Sequence, residues 1–142
     1  MISISLPPAK RSWSTLSFSS TLYLCPILDL LLLKVPEALK DEVRLGLQEA
    51  LVNAAKHGNK LDPSKAIVVQ FTTSYRSFSW VISDQGEGFS SCCQEHHNCL
   101  AEDLLPPEEA ENGRGLCILH EVFDYVHWNA CGNQLSLSKK IQ

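Results

Sequence analysis

PEALKDEVRLGLQEALVNAAKH, residues 36–57, is the stretch on which the fold turns. Pro36 suits the opening of a helix, where its missing N–H costs nothing, and Gly58 is placed to take the left-handed conformation just past the end. At about 100° per residue, Leu39, Val43, Leu47, Ala50 and Ala54 fall on one stripe, which predicts an amphipathic helix lying on a sheet. The sheet is legible downstream. After a turn at residues 61–65, AIVVQFTT (66–73) and FSWVISD (78–84) are β-branched or aromatic runs joined by SYRS, the pattern of an antiparallel hairpin.

Upstream, residues 1–11 contain Pro7 and Pro8 and read as a flexible arm, and SWSTLSF (12–18) reads as a first strand at an edge. A first helix falls within about 21–34, with Pro26 in its opening turn. Residues 90–112 have neither period and end in two prolines and a run of acids, the signature of a lid or binding segment. A helix follows from about residue 115, and HWNACGNQLSLSKKI closes the chain with two strands around Gly132 and Asn133. The order predicts one domain over residues 12–142, an α+β two-layer sandwich with helices on one face of a mostly antiparallel sheet.

Composition excludes several classes. The net charge of -4, without a basic run longer than two residues, argues against a nucleic-acid groove. The most apolar run, ILDLLLLKV (27–35), is too short to cross a bilayer and contains Asp29. The N-terminus lacks the pattern of a secretory signal, so a cytoplasmic protein is expected, with its six cysteines as reduced thiols. Cys25, Cys117 and Cys131 read as small core residues, and His120 and His127 as packing or hydrogen-bonding side chains.

Three short constellations could carry chemistry. DQGEGF (84–89) ends a strand with Asp84, then omits two Cβ atoms at Gly86 and Gly88, with Phe89 as an anchor. That is either a place where a ligand approaches the backbone or an ordinary glycine-rich turn. Gly113, Arg114, Gly115 and Leu116 stand directly before the predicted third helix, where free amides suit phosphate oxygens. Glu49, Asn53 and His57 recur every four residues along one edge of the long helix. A carboxylate there can accept a proton from a hydroxyl, and an amide oxygen is a hard Mg²⁺ ligand; taken alone, the trio also fits a solvated helix flank.

Together, Glu49-x-x-x-Asn53-x-x-x-His57, Asp84-x-Gly86-x-Gly88-Phe89 and Gly113-x-Gly115-Leu116 resemble, in order and spacing, the N, G1 and G2 boxes of the GHKL ATPase superfamily, which has the Bergerat fold. Within it, QEALVNAAKHGN, ISDQGEGF and GRGLCILHEVFDYVHW are most similar to the RsbW/SpoIIAB type of anti-sigma regulatory factor, in a form like those of cyanobacteria. The resemblance implies ATP or ADP with Mg²⁺ as cofactors. It implies Glu49 as general base, Asn53 as Mg²⁺ ligand, His57 as a further nucleotide-site residue and Asp84 as acceptor for the adenine amino group. It further implies that Gly86 and Gly88 let the base and ribose approach, with Phe89 among the nucleotide-site residues, and that Arg114 and the amides of Gly113, Gly115 and Leu116 meet the phosphates. The implied reaction moves the γ-phosphate to a serine of a STAS-type anti-anti-sigma partner, and the implied assembly is a homodimer that sequesters a sigma factor.

Glu111 stands where some kinase-active relatives carry a basic residue, which leaves open a nucleotide-responsive anti-sigma module without transfer activity. Cys92, Cys93, His96, His97 and Cys99 offer zinc-type ligands compressed into eight residues, or simply thiols on a solvated lid. Leu45 and Val52, one heptad apart off the main stripe, are candidates for a partner contact.

Overall fold

A computed structural model describes residues 2–5, 13–74, 76–86 and 109–141, with side chains for all of these except 3–5 and 109–114. Its strands are β1 (Ser3–Ser5), β2 (Ser14–Ser19), β3 (Ala66–Thr73), β4 (Ser77–Ser83), β5 (Tyr125–Trp128) and β6 (Gln134–Lys140). Its helices are α1 (Cys25–Leu31), α2 (Glu37–Val52) and α3 (Glu109–Val122). The strands form one sheet in the order β1-β2-β3-β4-β6-β5, and every pairing is antiparallel. Strand periodicity explains its two faces: Leu16, Phe18, Ile67, Val69, Trp80, Ile82, Leu135 and Leu137 are buried, while Gln70, Ser19 and Gln134 are exposed. The α+β sandwich expected from the sequence is the architecture observed.

The helical layer covers the apolar face. Val43, Leu47 and Ala50 of the predicted stripe are essentially inaccessible, and Ile27, Leu28 and Leu31 bring α1 onto the same core. Pro26 occupies the first turn of α1, as its missing donor requires. Trp80 of β4 meets Phe123, just past α3, edge to face with ring centroids 5.7 Å apart.

Helices α2 and α3 touch at Gly46, where a Cβ would stand 2.5 Å from Phe123 Cε2 and 2.9 Å from Val122 Cγ1. Lys139 Nζ locks this contact, donating to Glu42 Oε2 at 2.6 Å and to the Val122 carbonyl at 2.8 Å. Gly46→Val is expected to cost about 2 kcal/mol or more, because a β-branched side chain must push α3 off α2 and brings little helix propensity to offset the strain. A urea melt followed by circular dichroism checks this.

Several expectations need correction. Ser3–Ser5 is a strand paired with β2, so this part of the expected N-terminal arm is ordered into the sheet, and β2 is an interior strand rather than an edge. The long helix does not stop in a left-handed glycine: it widens into a π-helical turn over Asn53–Gly58, and the positive φ values fall on Lys60 (56°) and Leu61 (59°). Helix α3 begins at Glu109, so its backbone includes the glycine pair. Glu109, Ala110 and Glu111 are good helix formers, with acids suited to a first turn.

Cys25 and Cys117 are exposed and Cys131 is half-buried; all three are free thiols, not core residues. Cys25 and Cys117 belong to α1 and α3, whose buried positions are taken by Ile27, Leu28, Leu31, Leu119 and Val122, and Cys131 lies in the turn between β5 and β6. His120 is exposed, and exposed His127 stacks on Tyr125. Leu45 is 46% exposed, but Val52 packs against the core, which dissolves the expected pair. Most of the expected lid, with Cys92, Cys93, His96, His97 and Cys99, lies outside the described residues. No group of three or more metal-ligating side chains occurs among the described residues, and none of the described helices is long and apolar enough to cross a membrane.

Candidate functional site

The C-terminal end of α2, the end of β4 and the β5–β6 turn converge on one cleft. Asn53, Ala54, His57 and Gly58 line it from the helix, Ile82 and Asp84 from the strand, and Trp128, Gly132 and Leu135 from the last hairpin. Ala50, Ala54, Ile82 and Leu135 make one wall apolar, a surface against which a flat heterocycle can lie. Asp84 is the charged group on that surface.

Backbone contacts hold Asp84 in place. Its N–H donates to the Asn133 carbonyl at 3.0 Å, and its Oδ1 accepts the Gly86 N–H at 2.8 Å. No donor among the described residues lies within hydrogen-bond distance of Oδ2. Burial lifts the carboxyl from its ordinary 3.8 to about 6, against the smaller opposing effects of the Gly86 N–H and the distant Lys65 charge. A carboxylate held at that desolvation cost, with one oxygen that receives no donor among the described residues, is suited to accept a hydrogen bond from a ligand.

The glycines explain how the pieces come so close. A Cβ on Gly58 would overlap the Asp84 carboxylate, and a Cβ on Gly86 would overlap the Gly58 carbonyl, standing 2.6 Å from its carbon. Gly58 therefore serves close approach of helix end to loop rather than a left-handed cap. Gly86→Ala forces two backbones apart and is expected to destabilise the domain by about 2 kcal/mol and to abolish ligand binding in the cleft. Thermal melts with and without ligand test both halves of that expectation.

Glu49 sits one turn before Asn53 on α2, half-buried, and its Oε1 would stand 3.0 Å from a Cβ on Gly115. Gly115 thus leaves room for the Glu49 carboxylate between α2 and α3. Leu116 packs partly buried against the core. The backbones of Gly113 and Arg114 lie in α3, while Gly88 and Phe89 fall outside the described residues. Of the sequence-derived candidates, the fold brings Asn53, His57 and Asp84 into one cleft, with Gly86 behind it and Glu49 and Gly115 beside it.

Trp128, Gly132 and Gly58 line the cleft without any sequence signal that marks them as site residues. Gly132, at φ 80°, marks a turn in any reading, but its place at the cleft depends on β6 pairing with β4. Asn129 Oδ1 shapes that turn by accepting the N–H groups of Gly132 at 2.7 Å and Asn133 at 3.0 Å.

A family model described as a histidine kinase-like ATPase domain matches residues 30–139, most of the chain and every residue that lines the cleft. The chain belongs to that family. None of the curated proteins matches it. Membership makes this histidine kinase-like ATPase domain a nucleotide-binding domain of the ATP-hydrolysing or kinase type. The cleft fits such a ligand: a carboxylate oxygen with no donor among the described residues, an apolar wall and an approach kept open by glycines suit a purine, and Asn53 is the lining residue whose amide oxygen would hold a hard cation.

Proposed function

We propose that the domain binds ATP with Mg²⁺, transfers the γ-phosphate to a serine of a STAS-type anti-anti-sigma protein, and sequesters a sigma factor, as a cytoplasmic homodimer. The observation that carries the nucleotide part is Asp84 Oδ2, which receives no donor among the described residues and belongs to a side chain lining the apolar cleft, where it can accept from an exocyclic amino group. Asn53 supplies an oxygen for Mg²⁺, which neutralises phosphate charge. Glu49, one turn away, holds the proton of an attacking hydroxyl. The protein's part in such a transfer is mainly positioning and charge compensation.

The anti-sigma part is supported by the resemblance of the QEALVNAAKHGN, ISDQGEGF and GRGLCILHEVFDYVHW segments to anti-sigma regulatory factors. Glu111, an acid near the phosphate-binding segment, favours a second reading as a nucleotide-responsive anti-sigma module without transfer activity. Incubation with γ-labelled ATP and a candidate STAS-type partner separates the two. Label on a partner serine that vanishes in Glu49→Ala supports transfer; nucleotide-dependent capture of the sigma factor without label supports the module.

A further inference from the structure

Asn59 is the one fully buried residue with a polar side chain that could use both ends of an amide among the described residues, at 0% exposure. It follows the π-helical turn directly, and its own N–H closes that turn on the Ala54 carbonyl at 2.8 Å. Its Oδ1 accepts the Gln85 N–H at 2.7 Å, and its Nδ2 donates to the Ala66 carbonyl at 3.0 Å. Gln85 completes the ring, its Oε1 accepting the Ala66 N–H at 2.7 Å. One side chain thus ties together the end of the long helix, the start of β3 and the loop that carries Asp84.

Gln85 lies between the carboxylate facing the cleft and Gly86, whose backbone rests on Gly58. Fixing the Gln85 N–H therefore fixes the chain on both sides of it. The helix end closed by Asn59 also presents Asn53, Ala54 and His57 to the same cleft. We propose that Asn59 is the positioning residue for base selection: without touching the nucleotide, it holds Asp84 where its carboxylate distinguishes adenine from a purine with a carbonyl in place of the amino group. This inference rests on the nucleotide reading above. A carboxylate facing a carbonyl is left unpaired and repelled, so discrimination depends on holding it still, whereas general stability does not.

The test is calorimetric titration of ATP and of GTP, each with Mg²⁺, into the full chain and its Asn59→Ala and Asn59→Asp variants at pH 8, with urea melts alongside. The parent is expected to prefer ATP by about a hundredfold. Asn59→Ala, which frees the Gln85 N–H, is expected to reduce that preference about tenfold. Asn59→Asp keeps an acceptor for Gln85 while burying a charge, so it is expected to be the less stable variant and yet to retain more of the preference. Should selectivity follow stability, or stay at the parent's value in Asn59→Ala, the positioning role is overturned and the nucleotide site stands. Should Asn59→Ala not fold, Asn59→Asp decides by whether it keeps the preference. Absence of ATP binding by the parent itself overturns both.

Discussion

Asp84→Asn is expected to weaken ATP binding about a hundredfold at pH 8 while leaving the protein more stable than its parent. The binding loss follows from atom placement. Oδ1 receives the Gly86 N–H, so an asparagine keeps its oxygen there and turns its NH₂ toward the cleft, where it opposes the donor of the base instead of accepting from it. The stability gain follows from linkage. The Asp84 carboxyl has a folded-state pKa raised from 3.8 to about 6, so the folded protein holds this proton more tightly than the unfolded chain does.

A raised carboxyl pKa contributes stability below about pH 4, and that contribution is lost as pH rises through about 6. The shift of about two units corresponds to at most ~3 kcal/mol; because the group is partly solvated, about 1–2 kcal/mol is the better expectation. Asparagine does not titrate and escapes the loss. Above pH 6 the variant should melt a few degrees higher than the parent, and the difference should shrink on going down to pH 4. Binding runs the opposite way: ATP affinity of the parent should fall below about pH 6, as the acceptor takes up a proton. A parent that binds equally at pH 5 and pH 8 would place the base elsewhere.

Glu49→Gln should act on turnover and spare affinity. The side chain lies beside the cleft rather than in its lining, on the same helix one turn before Asn53, and faces the gap that Gly115 leaves open. Loss of a general base costs roughly 10² to 10⁴ in rate, whereas the Kd for ATP should stay within about threefold. Single-turnover hydrolysis or transfer beside equilibrium titration reads the two numbers separately. A Kd that rises in step with the fall in rate would make Glu49 a binding residue.

Much of the fold is legible because two periods stand out. The stripe of Val43, Leu47 and Ala50 and the β-branched runs 66–73 and 78–84 are patterns whose burial requires a helix on a sheet. What stays hidden depends on geometry without a residue signature. A π-helical turn has no residue signature of its own, so Asn53–Gly58 reads as a plain helix end and Gly58 as its cap. The left-handed turn then falls on Lys60 and Leu61, residues no turn rule favours. Asn59 is wholly buried, and nothing local in the sequence marks it so, because its partners, Ala66 and Gln85, come from elsewhere in the chain.

The site shows the same division. Asp84 and the helix edge of Asn53 and His57 are visible as spacing, since a helix and a strand end place them without help from distant contacts. Trp128 and Gly132 reach the cleft only through the crossover that sets β6 beside β4, with β5 outside it. The start of α3 at Glu109 was masked by the pull of the glycines, which mark turns more strongly in sequence than acids mark a helix start.

The central question is whether the Asp84 oxygen on the apolar cleft receives a purine amino group, and calorimetric titration of ATP with Mg²⁺ into the parent and Asp84→Asn at pH 8 asks it directly. Saturable one-to-one binding in the parent, reduced about a hundredfold in a variant that melts no lower, is the predicted result. Equal affinity in the two proteins, or no heat of binding in the parent, contradicts it.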